Sequence, residues 1–266
     1  MATLATGTPS SDNLLVGKGQ VWFNRFDNLG VGTGLRHLGN VDAMEITTAD
    51  DNIEKYSNMT QDAPLYKRVA RRRTVTIRLT LSEFEPENMA LVMMGTVVKT
   101  ATQAATAVTG ETLTTNAVLG AYYMFSKIGP HTAIALKKGA TTLVLNTDYA
   151  IVDPNIGIVQ ILDTSSTVVA GDTITADYTP TAYTAGEIVE IYGGESTTVE
   201  GSLLFIGDPV TGPRQKVEVW KVSFTPDGAL GLISDEFASV GLTGSVLADP
   251  VGHPTNKLYR STFLPF

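Results

Sequence analysis

The chain has 266 residues, no cysteine and a formal net charge of −8, with 19 basic against 27 acidic side chains. The lack of cysteine excludes disulfides, thiolate zinc sites and a cysteine nucleophile, and suits synthesis in a reducing cytoplasm. The acidic balance argues against a surface that grips nucleic acid, because phosphate binding draws on Lys and Arg, but not against one that duplex DNA slides past.

Interruption by 25 Gly and 12 Pro points to a turn-rich β protein of one large or two modest domains. In chain order, Met1–Asn13 is small and polar and lacks the basic and apolar regions of a secretory signal. It reads as an arm that only a neighbour would order. No run approaches the ~18 apolar residues of a membrane span, so none is expected. Gly19–Asp27 alternates as a strand with Val21 and Phe23 on one side. Asn28–Asn40 follows as a Gly-rich loop and short return strand. Its G-x-G-x-G string lacks the helix that a dinucleotide fingerprint must open, so it reads as a hairpin tip. Val41–Thr47 is a further short strand. Thr48–Arg73 is then a long polar excursion, acidic at its start (Asp50, Asp51, Glu54) and basic at its end (Lys67, Arg68, Arg71, Arg72, Arg73). Three readings stand for such a loop: it folds on itself, it meets a copy of itself in a neighbouring subunit, or it is a solvated loop with scattered charges. A compact domain rarely keeps one this long without a use.

The stretch Arg71–Gly95 organises the rest. Val75, Ile77, Leu79 and Leu81 fall on one face of a strand, and Thr74, Thr76, Arg78 and Thr80 on the other. That period of two marks a half-buried strand with one wet face. Pro86 suits a first helical turn, and Glu83, Glu85 and Glu87 gather at the positive end of the helix dipole. Met89–Met94 supply apolar positions, and Gly95 is placed to close the helix in a left-handed conformation. No other segment carries a convincing helix signal.

The composition changes after Gly95. Residues 99–117 are rich in Thr and Ala, and Gly120–Tyr183 gives many short β runs separated by Gly, Asn, Pro or Asp. That spacing suggests a small sandwich with its own core. Its three basic and six acidic residues give −3, leaving −5 for the rest. The expected division is a parent domain over 1–100 and 184–266, with an inserted β domain over 101–183. Within the second part, Glu187–Tyr192, Thr197–Ile206 and Lys216–Thr225 read as strands. In the last, Glu218, Trp220, Val222 and Phe224 share a face, which places Trp220 in the core. The tail from Gly241 shows no periodicity. Yet it ends in Phe263, Leu264 and Phe266, apolar side chains that need a groove on the parent domain or a neighbouring subunit.

No catalytic, metal or cofactor set emerges. His37, His131 and His253 lie far apart in three different regions, each read as a surface or hydrogen-bonding residue rather than a ligand. Asp50, Asp51 and Glu54 lack the ligand spacing and Gly turn of a calcium loop. The pair Glu83 and Glu85 is accounted for by helix-end electrostatics, and none of the common hydrolase, zincin or nucleotide-loop strings occurs. Nothing in the sequence asks for an enzyme.

The order of parts around the insertion resembles the tail tube proteins of long-tailed, non-contractile bacteriophages. The likeness rests on GKGQVWFNRFD, GLRHLGNVDAMEITTADDNIEKYSNM, RRRTVTIRLTLSEFEPENMALVMMG and the β-rich return Gly186–Thr225, and covers about half the chain. The insertion, with NTDYAIVDPNIGIVQI and GDTITADYTP, is similar to the immunoglobulin-like modules found on phage structural proteins. The resemblance implies a mainly β fold: a tail-tube-type sandwich or barrel protomer with one short helix outside it, plus a small Ig-like sandwich. It implies hexameric rings stacked into a tube in the virion, assembled in the host cytoplasm, through which genomic DNA passes at ejection. Expected partners are further copies of the chain, tail tip and tail terminator proteins, and a tape measure protein in the lumen, with no cofactor. Thr74, Thr76, Arg78, Thr80 and Glu190 are then expected to face the lumen. Asp50, Asp51, Glu54, Arg71, Arg72, Phe263 and Phe266 are expected at contacts between subunits or rings. The alternative is a capsid decoration or adhesion protein that works through its Ig-like module.

Overall fold

A computed structural model describes residues 14–100 and 102–264. Its strands begin with β1 (Gly19–Arg25), β2 (Arg36–His37), β3 (Val41–Tyr56), β4 (Leu65–Leu81), β5 (Thr96–Lys99) and β6 (Val108–Thr114). Next come β7 (Tyr122–Met124), β8 (His131–Lys138), β9 (Thr141–Thr142), β10 (Tyr149–Asp153), β11 (Ile158–Ile161) and β12 (Ile174–Pro180). The last five are β13 (Val189–Tyr192), β14 (Val199–Gly207), β15 (Arg214–Asp227), β16 (Val240–Val246) and β17 (Tyr259–Leu264). Among the described residues one helix of seven residues, α1 (Pro86–Val92), stands against these, so the class is mainly β. The chain forms two compact units, Met1–Val98 with Glu190–Phe266 and Lys99–Val189. The second unit therefore takes in Thr184–Val189, which the sequence division had given to the parent domain.

The first unit is built on one sheet in the order β2-β1-β14-β15-β16-β4-β3, with β17 also pairing β15. The strand pairings of this sheet are antiparallel, so inward and outward side chains alternate. Val21 and Phe23 of β1, Val75, Ile77, Leu79 and Leu81 of β4, Leu203 of β14 and Leu242 of β16 supply one buried core. Leu91 and Val92 of α1 enter the same core. Val21, Met44, Ile46, Phe205, Val217 and Tyr259, from five strands, line one groove of about 430 Å³, so the sheet curls until β1 and β3 face a common space.

Helix α1 forms where the sequence places it, but its ends are made differently. Glu85 is the N-cap residue and makes no side-chain cap, and of the three glutamates only Glu87 lies in the first turn. Glu83 instead accepts the Asn40 N–H at 2.7 Å. At the other end the left-handed residue is Met94, at φ 48°, and not Gly95. The Met94 N–H donates to Leu91 O and the Gly95 N–H to Ala90 O, the paired bonds of a Schellman stop. Gly95 is required for space: a Cβ there would lie 2.3 Å from the Tyr192 carbonyl oxygen.

Strand β15 corrects the placing of Trp220. Gly201 pairs with Val222 but Leu203 pairs with Val219, so Trp220 and Lys221 together face Ser202. This bulge reverses the alternation, and the buried set is Val217, Val219, Val222 and Phe224. Trp220 is half-buried on the other face. His253 stacks on it at 3.5 Å between centroids, and its indole N–H donates to Asn256 O at 2.6 Å. The tail is thus ordered: β16 pairs the second half of β15, β17 pairs the first half, and the strap between them covers Trp220.

The second unit holds two sheets, β10-β11-β7 and β6-β12-β8-β9. Val159, Ile161 and Tyr149 from the first and Leu136, Ile174, Ala176 and Tyr178 from the second share one core. Strand β6 runs through the Thr/Ala-rich stretch, which the composition alone does not identify as a strand. Asp148 is buried and accepts hydrogen bonds from Val144 N at 2.9 Å and Ser165 Oγ at 2.7 Å. The Val144 bond foremost, and then the Ser165 bond, hold its carboxyl below the usual range. Strands β5 and β13 pair with each other where the chain leaves the first unit and returns to it.

Candidate assembly surface

The residues expected in a polar loop form the outer half of a long hairpin instead. Strands β3 and β4 pair from Val41↔Leu81 out to Tyr56↔Leu65, and only residues 57–64 connect them. The inner half is roofed on its other side by β16, which pairs β4 from Leu81 to Thr76. Beyond Thr76, β3 is the only paired neighbour of β4 among the described residues, and the burial of one face ends at Val75. What remains is a two-stranded arm with its side chains in solvent on both faces, and such ribbons are marginal on their own.

Opposite charges at the two ends of this segment face each other across the arm. Arg73 Nε donates to Asp50 at 2.7 Å, and Asp51 takes Arg71 at 2.5 Å and Arg72 at 3.0 Å. Glu54 meets Arg68 at 3.5 Å. The Arg73 hydrogen bond is the main cause that lowers the Asp50 carboxyl pKa, and Asp50 in turn raises that of Arg73. The five charged residues among the seven expected at contacts between copies are therefore paired inside one hairpin. They remain exposed, so these are surface pairs that contribute little to stability. Register shifts at Asp51/Asn52 and Lys55/Tyr56 leave Arg71 and Tyr66 as extra residues on β4.

The second predicted set divides. Thr74 and Arg78 are exposed, and Thr76 and Thr80 are half-buried, all on the face of β4 opposite the core. Arg78 meets Asp227 of β15 at 3.2 Å. Glu190 is not with them: it lies on β13, outside the eight-stranded sheet, and accepts the Tyr192 hydroxyl at 2.8 Å. Phe263 sits in β17 with its backbone opposite Gln215, yet it is 55% exposed, so no groove among the described residues encloses it. Phe266 lies outside the described residues.

The three histidines are separately employed. His37 packs edge-on against Trp22, His131 is buried edge-on against the stacked pair Phe125 and Tyr178, and His253 stacks on Trp220 and meets Asp249 at 2.8 Å. Among the described residues no three or more His, Asp or Glu gather as a metal site, and no helix is long and apolar enough to cross a membrane. No sequence pattern marks the loop between β15 and β16, Gly228–Ser239, as a surface of interest, yet Leu232, Ile233 and Phe237 stand exposed there. Its one signal is an apolar pair and a phenylalanine flanking Asp235 and Glu236.

These features define a mainly β chain of two compact units, the larger carrying a bare charged arm and an exposed apolar loop. Residues 14–258 match the family described as protein of unknown function UCP028589, and the chain belongs to that family. No curated protein matches it.

Proposed function

We propose that the chain is a structural, self-assembling tail tube protein of a long-tailed, non-contractile phage. Six copies close a ring, the rings stack, and genomic DNA passes down the bore. The observation that carries this reading is the 16-residue edge strand β3 with the bare arm it forms with β4. An exposed edge of that length aggregates unless something pairs or covers it. Pairing with sibling copies supplies the cover and closes a wall without loose edges. The face of Thr74, Thr76, Arg78 and Thr80 then lines the bore, and the net charge of −8 limits adhesion of DNA over many repeated copies. Tail tip, tail terminator and tape measure proteins are the further partners of such a tube, and no cofactor or catalytic step enters. On this reading the second unit is an Ig-like module carried by the tube protomer. Negative-stain microscopy of the purified chain tests the proposal. Rings or rods with a central channel are expected, and a chain that stays dispersed at milligram concentrations refutes it.

One observation favours the second reading, an adhesion or decoration protein. On the sheet β10-β11-β7, Tyr122, Met124 and Val152 are more than half exposed, a sticky outer face for a small module. Excision of residues 101–183 separates the readings: a tube protein still polymerises, whereas an adhesin loses its binding.

A further inference from the structure

The arm and the β15–β16 loop are complementary, and they leave the first unit in opposite directions. Strand β16 begins at Val240, opposite Leu81, so the loop before it lies beyond the Leu81 end of β4. The arm begins past Thr76, at the other end of the same strand. From Leu81 to Val69 the strand covers about 40 Å at roughly 3.3 Å per residue. The two surfaces therefore cannot meet within one copy.

Their chemistry matches. Segment 50–73 holds six basic and four acidic side chains, a net +2, while the rest of the chain sums to −10. Ile53 pairs with Val69 and, two positions on, Lys55 with Lys67, so all four share one face of the arm. Two like charges placed directly opposite oppose strand pairing. Neither lysine joins an ion pair among the described residues, in contrast to the arginines beside them. The face thus offers two branched apolar side chains and two lysines without counter-charge. On the loop, Ile233 is 99% and Phe237 103% exposed, and Asp235 and Glu236 between them form no ion pair among the described residues. Leu230 packs on the core at the loop's base and anchors it.

We infer that the loop Gly228–Ser239 of one copy docks on the Ile53, Lys55, Lys67 and Val69 face of the arm of a second copy. Ile233 and Phe237 cover Ile53 and Val69, and Asp235 and Glu236 neutralise the two lysines. Different surfaces at opposite ends make a head-to-tail contact, which repeats from copy to copy without consuming either end of the series. The inference rests on the self-assembling reading above and names the surfaces it uses along the stack.

The chain has no cysteine, so disulfide trapping has no background. The full-length variant carrying both Phe237→Cys and Val69→Cys, oxidised and run without reductant, is expected to give a ladder of covalent oligomers. Each single variant is expected to give dimers at most. Asp235→Lys with Glu236→Lys in that background should lower ladder yield at least tenfold, and adding Lys55→Glu with Lys67→Glu should restore it. Microscopy of the same samples separates the two ideas. Hollow rods or rings without a ladder, or charge loss without restoration, overturn this docking and leave the tube reading standing. A ladder without hollow assemblies supports the docking and overturns the tube, and neither product overturns both.

Discussion

Truncating one isoleucine at two places on the β3–β4 hairpin tests whether it is half core and half arm. Ile77 is 0% exposed and its Cα partners are Gly244 and Ile46 on either side. Ile77→Ala removes three carbon groups at about 0.8 kcal/mol each. The cavity left among close-packed neighbours raises the cost to about 3–4 kcal/mol. Ile53, some 24 positions earlier by number, is 56% exposed on the arm, and the same substitution there costs under about 0.5 kcal/mol. The assay is urea unfolding of the dispersed chain followed by tryptophan fluorescence, because Trp22 and Trp220 are the only tryptophans and both belong to the first unit. With a slope of about 2 kcal/mol per molar urea, Ile77→Ala should lower the midpoint by about 1.5–2 M and Ile53→Ala by less than about 0.3 M. Equal shifts for the two variants would refute the division of the hairpin.

Three further outcomes follow from the structure. Asp148→Ala leaves the Val144 N–H and the Ser165 hydroxyl without their acceptor and should destabilise the second unit by about 2–3 kcal/mol at neutral pH. Because the folded carboxyl is depressed, its contribution is present above the unfolded value near 3.9 and is lost as pH falls through the folded one. The calorimetric gap between wild type and variant should therefore close in acid, and a gap constant from pH 7 to pH 2 would sink the argument. Gly95→Ala drives a Cβ to 2.3 Å from a backbone oxygen and should lower the urea midpoint of the first unit, whereas Gly194→Ala, with open space around its Cβ but a φ of 77°, should cost less. Trp220→Ala removes the surface on which His253 stacks, so limited proteolysis should begin within residues 247–258, and unchanged cleavage kinetics would count against the strap.

Where a segment met one side of a sheet with a regular period, its place was legible from sequence. Thr74–Leu81 and Val21 with Phe23 are of this kind, since burial of alternate side chains leaves alternation in the residues. The helix after Pro86 was legible for the same reason, though its closing residue was not, because Met94 adopts a positive φ that residue type does not advertise. The arm was misread because both of its faces are wet, so no apolar period marks it as strand. Its cross-strand ion pairs are visible only once the register is known. Trp220 was misplaced by a single extra residue in β15, a local event that inverts everything beyond it. Strand β16 was within reach, since Val240, Leu242 and Val246 alternate, but its two glycines disguised the period. The docking surfaces on the loop and arm were not legible at all, because they depend on which end of β4 each one leaves.

The ribbon of β5 and β13 has a practical meaning. Adjacent strands lie about 4.8 Å apart, so the polypeptide departs for the second unit and comes back through neighbouring backbones. Gln103 and Tyr183 continue that closeness further along, with a backbone bond of 2.9 Å from the Gln103 N–H to the Tyr183 carbonyl. Any foreign domain whose own ends sit side by side can be spliced in at this doorway with almost no linker, which makes it a ready mount for display of chosen cargo.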